Sequence, residues 1–154
     1  MNPSFIIRNL SPAETAAPAV RRLLIESDPD YRSINQYGRN ACAIAALYET
    51  QVAALCAFGK SEQSGLLEIF NLVVQQQFRR RGLAGQLLNY VIKHTKSRPV
   101  RVGTGSTSFA ALALYQKTGF RIVAVERDYF VRTSRPPMIE NGIQLHDRLL
   151  LELW

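Results

Sequence analysis

Three consecutive arginines followed by small residues form the segment of this sequence with the clearest chemistry. An apolar run ending at Val74 leads through glutamines into Arg79-Arg80-Arg81, and Gly82, Ala84 and Gly85 follow. Small residues at the start of a helix let a ligand approach the backbone N–H groups there, and the helix dipole favours an anion. The spacing predicts a site for a phosphorylated ligand, with an ordinary helix start and solvated arginines as the alternative.

The charge distribution points to the same part of the chain. Nineteen Lys and Arg stand against twelve Asp and Glu, a net charge of +7. Nine of the basic residues fall between Glu68 and Glu126, where no acidic residue occurs. A segment of this kind attracts polyanions. Nucleic acid, membrane phosphate and a phosphorylated cofactor all fit the charge.

Other residue types in the chain predict less. The Gly- and Ser-rich residues 103–108 lack the lysine and the third glycine of phosphate-binding loops. His94 and His146 have no Cys or carboxylate at metal-ligand spacing, so we expect no metal site. Cys42 and Cys56, both in apolar surroundings, are predicted to be buried thiols of a cytoplasmic protein. The chain begins without a leader pattern, and no apolar run reaches the ~20 residues that span a bilayer.

Hydrophobic periodicity predicts a single α/β domain over residues 1–154, with the order β-α-α-β-β-β-α-β-α-β-β. Ser11 and Glu14 form a capping box that opens a first helix, which runs to about residue 27, and a polar second turn or helix extends to Tyr37. Strands are predicted over residues 5–8, 41–48, 52–58, 66–74, 100–102, 120–125 and 144–153, and helices over 80–96 and from about 106 to 119.

Two stretches of the chain resemble motifs of the GNAT superfamily of N-acetyltransferases. Its acetyl-CoA-binding pattern, Gln/Arg-x-x-Gly-x-Gly/Ala, is matched by Arg79, Gly82 and Ala84 directly after a strand. A second pattern, Ala-x-x-x-Tyr-x-x-x-Gly-Phe, is matched by residues 111–120. The motifs stand in the family's order and spacing, and the resemblance extends from about Phe5 to Trp154. It implies a mixed-sheet acyl-CoA N-acyltransferase fold and an acetyl-CoA-dependent N-acetyltransferase.

The resemblance also implies how the cofactor would lie. The CoA pyrophosphate would rest on the backbone amides of Arg80, Arg81, Gly82, Leu83, Ala84 and Gly85, with guanidinium groups nearby for the 3′-phosphate. Arg79 is also implied as a cofactor-binding residue. The pantetheine arm would pair with a strand edge at Leu72 and Val74, and the N–H of Val73 or Val74 would donate to the thioester oxygen. Ser108 stands where the family often has Asn, and it could cap the following helix and donate one hydrogen bond to the cofactor.

Two side chains match catalytic positions of the family. Glu68 lies eleven residues before Arg79, the spacing of the general base in the histone acetyltransferase branch. Strand alternation would place it on the face of Leu72 and Val74 if no bulge intervenes. A carboxylate paired with a neighbouring arginine, or a chain of waters as the base, are the alternatives. Tyr115 matches the tyrosine that protonates or hydrogen-bonds the leaving thiolate, and a core aromatic is the alternative.

The predicted reaction is direct attack by an amine of a small molecule or a protein, in a ternary complex. Acidic and aromatic residues that suit a cationic acceptor are Asp28, Asp30, Tyr31, Tyr37, Asp128, Tyr129, Phe130 and Glu140. No membrane partner is expected, and the apolar residues 149–154 could pack in a homodimer. The other candidate functions are a non-catalytic acyl-CoA-binding regulator and a basic nucleic-acid-binding module, although the latter would lack interleaved aromatic residues.

Overall fold

A computed structural model describes residues 4–27 and 41–154. The chain divides into two compact units, Met1–Lys96 and Ser97–Trp154. Strands and helices follow one another in both, which confirms the predicted α/β class. The predicted second turn or helix, with Tyr37, lies outside the described residues. Within the described ranges, no helix is long and apolar enough to cross a membrane.

In its described residues the first unit holds an antiparallel sheet with the strand order β1-β2-β3-β4. The strands are β1 (Ile6–Asn9), β2 (Cys42–Tyr48), β3 (Gln51–Lys60) and β4 (Leu67–Val74). Helices α1 (Pro12–Thr15) and α2 (Pro18–Ser27) follow β1. A 3₁₀ turn (Gln76–Phe78) and helix α3 (Leu83–His94) follow β4.

The core of this unit lies between α2 and the sheet. Val20, Leu23 and Leu24 of α2 pack against β2 and β3, where alanines let the helix approach closely. Leu55 and Val73 face the same cluster from β3 and β4. Strands β2 and β3 are buried on both faces, and α3, which buries Leu83, Leu87, Leu88 and Val91, contacts β2, β3 and β4.

The capping box is confirmed, but the predicted first helix is two helices. The Ser11 hydroxyl accepts from the Glu14 N–H at 3.1 Å, and the Glu14 carboxylate accepts from the Ser11 N–H at 3.0 Å. Hydrogen bonding from Arg8, and then from the Ser11 backbone, lowers the pKa of Glu14 to about 2. Helix α1 ends at Thr15, and Pro18 begins α2. Proline lacks the N–H that a helix interior needs but fits its first turn.

The second unit has three longer antiparallel strands in the order β5-β9-β6 and a short hairpin among its described residues. The strands are β5 (Val100–Gly105), β6 (Arg121–Glu126) and β9 (Arg148–Leu153), and β7 (Ile139–Glu140) pairs with β8 (Ile143–Gln144). The helices are α4 (Phe109–Thr118) and α5 (Tyr129–Thr133). Residues 103–105 of the Gly- and Ser-rich segment are therefore strand.

Two expectations for the C-terminal end of the chain were wrong. The predicted last strand begins at Arg148, because Gln144 belongs to the hairpin that Asn141 and Gly142 turn with φ angles of 54° and 74°. Strand β9 lies between β5 and β6, with Leu151 buried and its other leucines half-buried. Only Trp154 of the proposed dimer surface at residues 149–154 is exposed.

The two cysteines also differ from each other. Both are free, but Cys42 is exposed at the start of β2, so the prediction of two buried thiols was wrong for this one. Cys56 is buried in the middle of β3, and desolvation raises the pKa of its thiol to about 12.

Candidate active site

The turn between β4 and α3 orients a helix N-terminus. Arg80 and Gly82 have φ angles of 63° and 76°, so two residues of the turn are in the left-handed conformation before Leu83 begins the helix. Gly82 is the N-cap, and its left-handed conformation favours glycine. The first N–H groups of α3 have no partner within the helix by geometry, and its first turn carries no acidic residue. This arrangement suits a phosphate group.

An aromatic cluster anchors this turn to the sheet. Phe78 is buried, and its ring packs edge-on against Phe5 at 5.8 Å and in a tilted contact against Tyr48 at 5.6 Å. The Arg81 guanidinium lies over the Phe78 ring at 5.9 Å. The last residue of the 3₁₀ turn therefore fixes the arginines that follow it. This role of Phe78 was not predicted, although a large apolar residue among glutamines and arginines was a signal in the sequence.

The three arginines do different things. Nε of Arg79 donates to the Val74 carbonyl at 3.1 Å, and its guanidinium lies 3.8 Å from the Glu26 carboxylate. The Arg79 side chain thus turns back onto the end of β4. Arg80 and Arg81 are exposed. They are better placed than Arg79 to meet a phosphate.

Backbone groups along β4 point alternately toward β3 and away from it. The Gln75 N–H donates to Ala53 of β3 at 2.9 Å. Backbone groups alternate along a strand, so those of Val73 also point to β3, where Val73 pairs with Leu55. Those of Leu72 and Val74 point away from β3, as their predicted pairing with the pantetheine arm requires, and that pairing stays a prediction. The Val73 N–H points to β3, so the predicted alternative in which it donates to the thioester oxygen was wrong.

A β-bulge at Phe70 decides where Glu68 points. Ala57 of β3 pairs with Asn71 and Phe58 with Ile69, so Phe70 is an extra residue on β4.

On one side of the bulge, Leu55 and Ala57 face α2 and pair with Val73 and Asn71. Asn71 lies against α2, where its side-chain amide donates to the Leu24 carbonyl at 3.3 Å.

On the other side of the bulge, Glu68 pairs with Gly59, which shares the face of Ala57. Glu68 therefore faces α2, whereas Leu72 pairs with Cys56 on the opposite face. The predicted common face of Glu68, Leu72 and Val74 was wrong because the bulge reverses the alternation.

The Glu68 carboxylate is half-buried and fastens a turn. It accepts a hydrogen bond from the Ser64 hydroxyl at 2.8 Å, in the β3–β4 loop. The predicted arginine partner is thus replaced by a serine. Glu68 and Leu72 are about 13 Å apart along an extended strand. A proton acceptor must lie within hydrogen-bond reach of the amine, directly or through water. From Glu68, contact with a group bound beside Leu72 needs water.

Tyr115 is held by the end of helix α4. It is the buried residue of the helix, and its ring meets Phe120 edge-on at 5.8 Å. The Phe120 N–H donates to the Tyr115 carbonyl at 3.0 Å, and the Gly119 N–H to Gln116 at 3.1 Å. Gly119 has φ 111°, and a side chain there would stand 3.2 Å from Leu153. The second motif thus ends the helix and fixes the tyrosine ring.

Ser108 occupies the predicted N-cap position of α4, but its hydroxyl does not cap the helix. It donates instead to the Glu140 carboxylate at 2.8 Å, and the Asn141 amide donates to the Thr107 carbonyl at 2.8 Å. The β7–β8 hairpin is tied in this way to the segment that starts α4. Glu140, predicted to meet the acceptor, is engaged in this tie.

The chain matches known proteins along most of its length. The sequence profile of the acetyltransferase (GNAT) family matches residues 13–120. The chain belongs to the GNAT family. An uncharacterized N-acetyltransferase of Bacillus subtilis, YvbK, is 32% identical over 136 residues, 85% of this chain and 87% of that protein.

Two solved structures show the same GNAT fold. A Bacillus subtilis acetyltransferase in complex with CoA has a TM-score of 0.88 and 28% identity, covering 97% of this chain and 98% of its own. A GNAT acetyltransferase from Elizabethkingia anophelis with acetyl-CoA bound has a TM-score of 0.86 and 30% identity, covering 97% of each chain. The predicted family and fold are confirmed, and the GNAT chain is an N-acetyltransferase that uses acetyl-CoA.

Part of the acidic and aromatic set predicted for the acceptor lies together after strand β6 of the GNAT chain. Asp128 precedes α5, its N–H donates to the Asp147 carboxylate at 2.8 Å, and its carboxylate lies 3.9 Å from His146. Tyr129 and Phe130 follow, in edge contact at 5.0 Å. The other predicted acceptor residues, Asp28, Asp30, Tyr31 and Tyr37, lie outside the described residues.

A cavity of about 860 Å³ lies in the first unit, apart from the predicted cofactor residues. It is lined by Leu10, Leu24, Cys42, Phe58 and Val91, among others. Cys42 pairs with Phe58, and Phe58 with Ile69, so the cavity is at the end of the strands opposite Val74. In residues 4–27 and 41–154, no three His, Cys, Asp or Glu side chains cluster as metal ligands.

Proposed function

We propose that this GNAT enzyme transfers the acetyl group of acetyl-CoA directly to a cationic amine in a ternary complex. The observation that carries the proposal is the continuity of two features. The backbone groups of β4 that face away from β3, at Leu72 and Val74, lead through a single turn to the N-terminus of α3. Acetyl-CoA has the matching order of groups, since its amide-containing arm joins the thioester to a diphosphate.

The diphosphate rests on the N–H groups of Leu83, Ala84 and Gly85, which begin α3. Gly82 leaves room for the diphosphate, because a side chain at this position would project into the open space beside the helix N-terminus. The exposed guanidinium groups of Arg80 and Arg81 supply charge-assisted hydrogen bonds, including those to the 3′-phosphate. The role of Arg79 in the same site is to hold the turn onto β4.

The edge of β4 binds the rest of the cofactor. The amides of the pantetheine arm pair with backbone groups of Val74 on the side of β4 that faces away from β3, as an added strand would. Because the arm runs from the α3 N-terminus back along β4, the thioester lies beyond Val74, and the Leu72 N–H donates to its oxygen and stabilises the charge that develops there. The Val74 carbonyl already accepts from Arg79, which fixes the peptide plane next to it.

Proton transfer requires a base and an acid. A protonated amine with a pKa of ~10.4 is not nucleophilic at neutral pH, so its proton must be taken up. Glu68 does this through water, since its carboxylate lies on the α2 face near the start of β4. Tyr115 donates a hydrogen bond or a proton to the leaving CoA thiolate, with its ring held by Phe120.

The cysteines support direct attack. Cys56 is buried, and its raised pKa keeps it a neutral thiol near pH 7, which is a poor nucleophile. Cys42 is exposed, but it lies at the end of the strands opposite Val74. Neither thiol is placed to form an acyl-enzyme at the edge of β4.

The acceptor is a cation that meets carboxylates and aromatic rings of the second unit. Asp128 supplies the charge, and the neighbouring rings of Tyr129 and Phe130 supply apolar area and, for a cation, favourable faces. This chemistry fits the amine of a small molecule or of a protein. The Ser108 hydroxyl donates to Glu140, so it meets the cofactor as a hydrogen-bond acceptor.

The whole chain acts as one domain in the cytoplasm. The family profile crosses the boundary between the two units, which supports residues 1–154 as a single acetyltransferase domain. Two free thiols are typical of a reducing compartment.

The experiment is a comparison of ligands followed by one of substrates. Acetyl-CoA at 100 times its Kd should stabilise the folded chain by about 2.7 kcal/mol, and an oligonucleotide of equal charge should not. A panel of polyamines, amino acids and peptide N-termini is then assayed for CoA release. Cationic amines should be acetylated faster than neutral ones of the same size. Stabilisation by the oligonucleotide, or binding of acetyl-CoA without transfer to any amine, would overturn the proposal.

A further inference from the structure

Strand β6 exposes three apolar side chains close together along one strand. Ile122, Val123 and Val125 are 48%, 46% and 54% exposed. It is the last strand in the order β5-β9-β6, and one of its two edges pairs with β9. An exposed apolar edge strand is a template for pairing with another chain.

A bulge at Val123 sets which side chains of β6 share a face. Ile122 pairs with Leu151 and Val125 with Leu149, and these two leucines are two residues apart on β9. Ile122 and Val125 therefore lie on one face, although an unbulged strand would place them on opposite faces.

The charged ends of β6 share the other face. Arg121 pairs with Glu152, and Glu126 pairs with Arg148, four residues away on β9. The arginine begins the strand and the glutamate ends it. Arg121 and Glu126 therefore stand at the two ends of one face of β6, and Ile122 and Val125 lie between them on the other face. This pattern of charged and apolar positions is the same when the strand is followed in the opposite direction.

We propose that β6 pairs antiparallel with β6 of a second copy of this chain across a twofold axis. Ile122 then lies opposite the partner's Val125, and Arg121 lies opposite the partner's Glu126. Arg148 of the same chain donates to Oε1 of Glu126, so the pair across the axis uses Oε2. Both apolar contacts fall on one face and both ion pairs on the other, which the bulge makes possible. An isologous interface requires this self-complementarity. The strand spans about 20 Å, so the pairing is at the small end of specific interfaces.

The first test is the association state in solution. Sedimentation of the full chain from ~1 to ~200 µM should show a monomer–dimer equilibrium. Val125→Lys places a charge against the partner's Ile122 and should abolish the dimer. Val131→Lys, at an exposed apolar residue of α5, is the control and should leave the dimer intact. A chain that stays monomeric, or a dimer lost in both variants or in neither, contradicts the proposal.

Cross-linking tests the register independently. In a Cys42→Ala background, which removes the exposed native thiol, Ile122→Cys and Val125→Cys chains are mixed and air-oxidised. Opposed positions in an antiparallel pair have Cβ atoms ~4.5–5.5 Å apart, close to disulfide geometry. The mixture should give a disulfide dimer in at least tenfold excess over either variant alone. Equal cross-linking in all three samples, or none, overturns the register. The readout does not depend on acetyltransfer.

Discussion

Glu68 and Leu72 project from opposite faces of strand β4, although only three residues separate them. The extra residue of the bulge, Phe70, lies between them and packs against the α2 cluster. The carboxylate thus belongs to the α2 side of the sheet, where Ser64 holds it. As the proposed base, Glu68 would therefore exchange protons with an amine near Leu72 through water.

The first prediction concerns that carboxylate. Glu68→Gln keeps the shape and removes the base, so kcat/KM should fall by ~10²–10⁴ at neutral pH. The loss should shrink as the pH rises, because free amine becomes available without a base. Steady-state kinetics from about pH 6 to pH 10 measure this. Ser64→Ala is the control, since it removes the hydrogen bond to Glu68 and leaves the carboxylate. If kcat/KM falls equally in both variants and independently of pH, Glu68 only stabilises the β3–β4 turn.

Tyr115 should act on the leaving group. Tyr115→Phe preserves the edge contact with Phe120 and deletes the hydroxyl, so the melting temperature and the acetyl-CoA affinity should change little. The value of kcat should fall by ~10-fold or more, about 1.4 kcal/mol at the transition state. Tyr90→Phe, on α3 beside His94, is the matched control and should retain full kcat. If chemistry limits turnover and Tyr115→Phe matches the wild type, the tyrosine is a core residue only.

Substitutions of Arg80 and Arg79 should have different effects on cofactor binding. Arg80→Gln should raise the Kd of acetyl-CoA by ~10-fold or more and have a much smaller effect on 3′-dephospho-acetyl-CoA, because one charge-assisted contact is lost. Arg79→Gln should instead weaken both ligands equally and lower the melting temperature, since Arg79 holds the end of β4. Calorimetry with the two cofactors decides. The same loss for both cofactors in Arg80→Gln would remove this residue from the 3′-phosphate.

The two thiols should react with a thiol reagent at very different rates. Cys42 is exposed and should react with a disulfide reagent in the native protein, whereas Cys56 should react only after denaturation. The pKa of Cys56 is raised to about 12 from an ordinary value of 9.0. Above about pH 9 the unfolded chain therefore loses a proton that the folded chain keeps, so this group's contribution to stability declines as the pH rises. Chemical denaturation of the wild type and of Cys56→Ala at pH 8 and pH 10 measures this. The free energy of unfolding should fall more between the two pH values in the wild type than in the variant. Two fast thiols in the native state would contradict the burial of Cys56.

The sequence predicted what local patterns determine. Gly82 and Gly119 both stand where the backbone has positive φ, and both were recognised from short motifs that end or begin a helix. The capping box at Ser11 was recognised in the same way. Pro18 also carried a local signal, a helix start, that the periodicity of the apolar residues around it concealed.

Features that depend on a partner strand were not predictable. The Phe70 bulge exists only in the pairing of β4 with β3, and it changed the face of Glu68 without changing any local pattern. Ser108 and Glu140 meet across 32 residues, so the loss of the helix cap could not be read from the helix itself. Cys42 sits in an apolar run, but it is the first residue of its strand and is therefore exposed.

The central claim is that acetyl-CoA binds at the turn between β4 and α3, and two glycine variants test it most directly. Gly82 and Gly65 have φ angles of 76° and 72°, and a Cβ at either meets nothing closer than 3.9 Å. Tryptophan therefore imposes similar backbone strain at both positions, but only Gly82→Trp fills the space beside the α3 N-terminus. Calorimetry should show that Gly82→Trp loses acetyl-CoA affinity by at least 100-fold while Gly65→Trp binds like the wild type. Wild-type affinity in a folded Gly82→Trp protein would contradict the site.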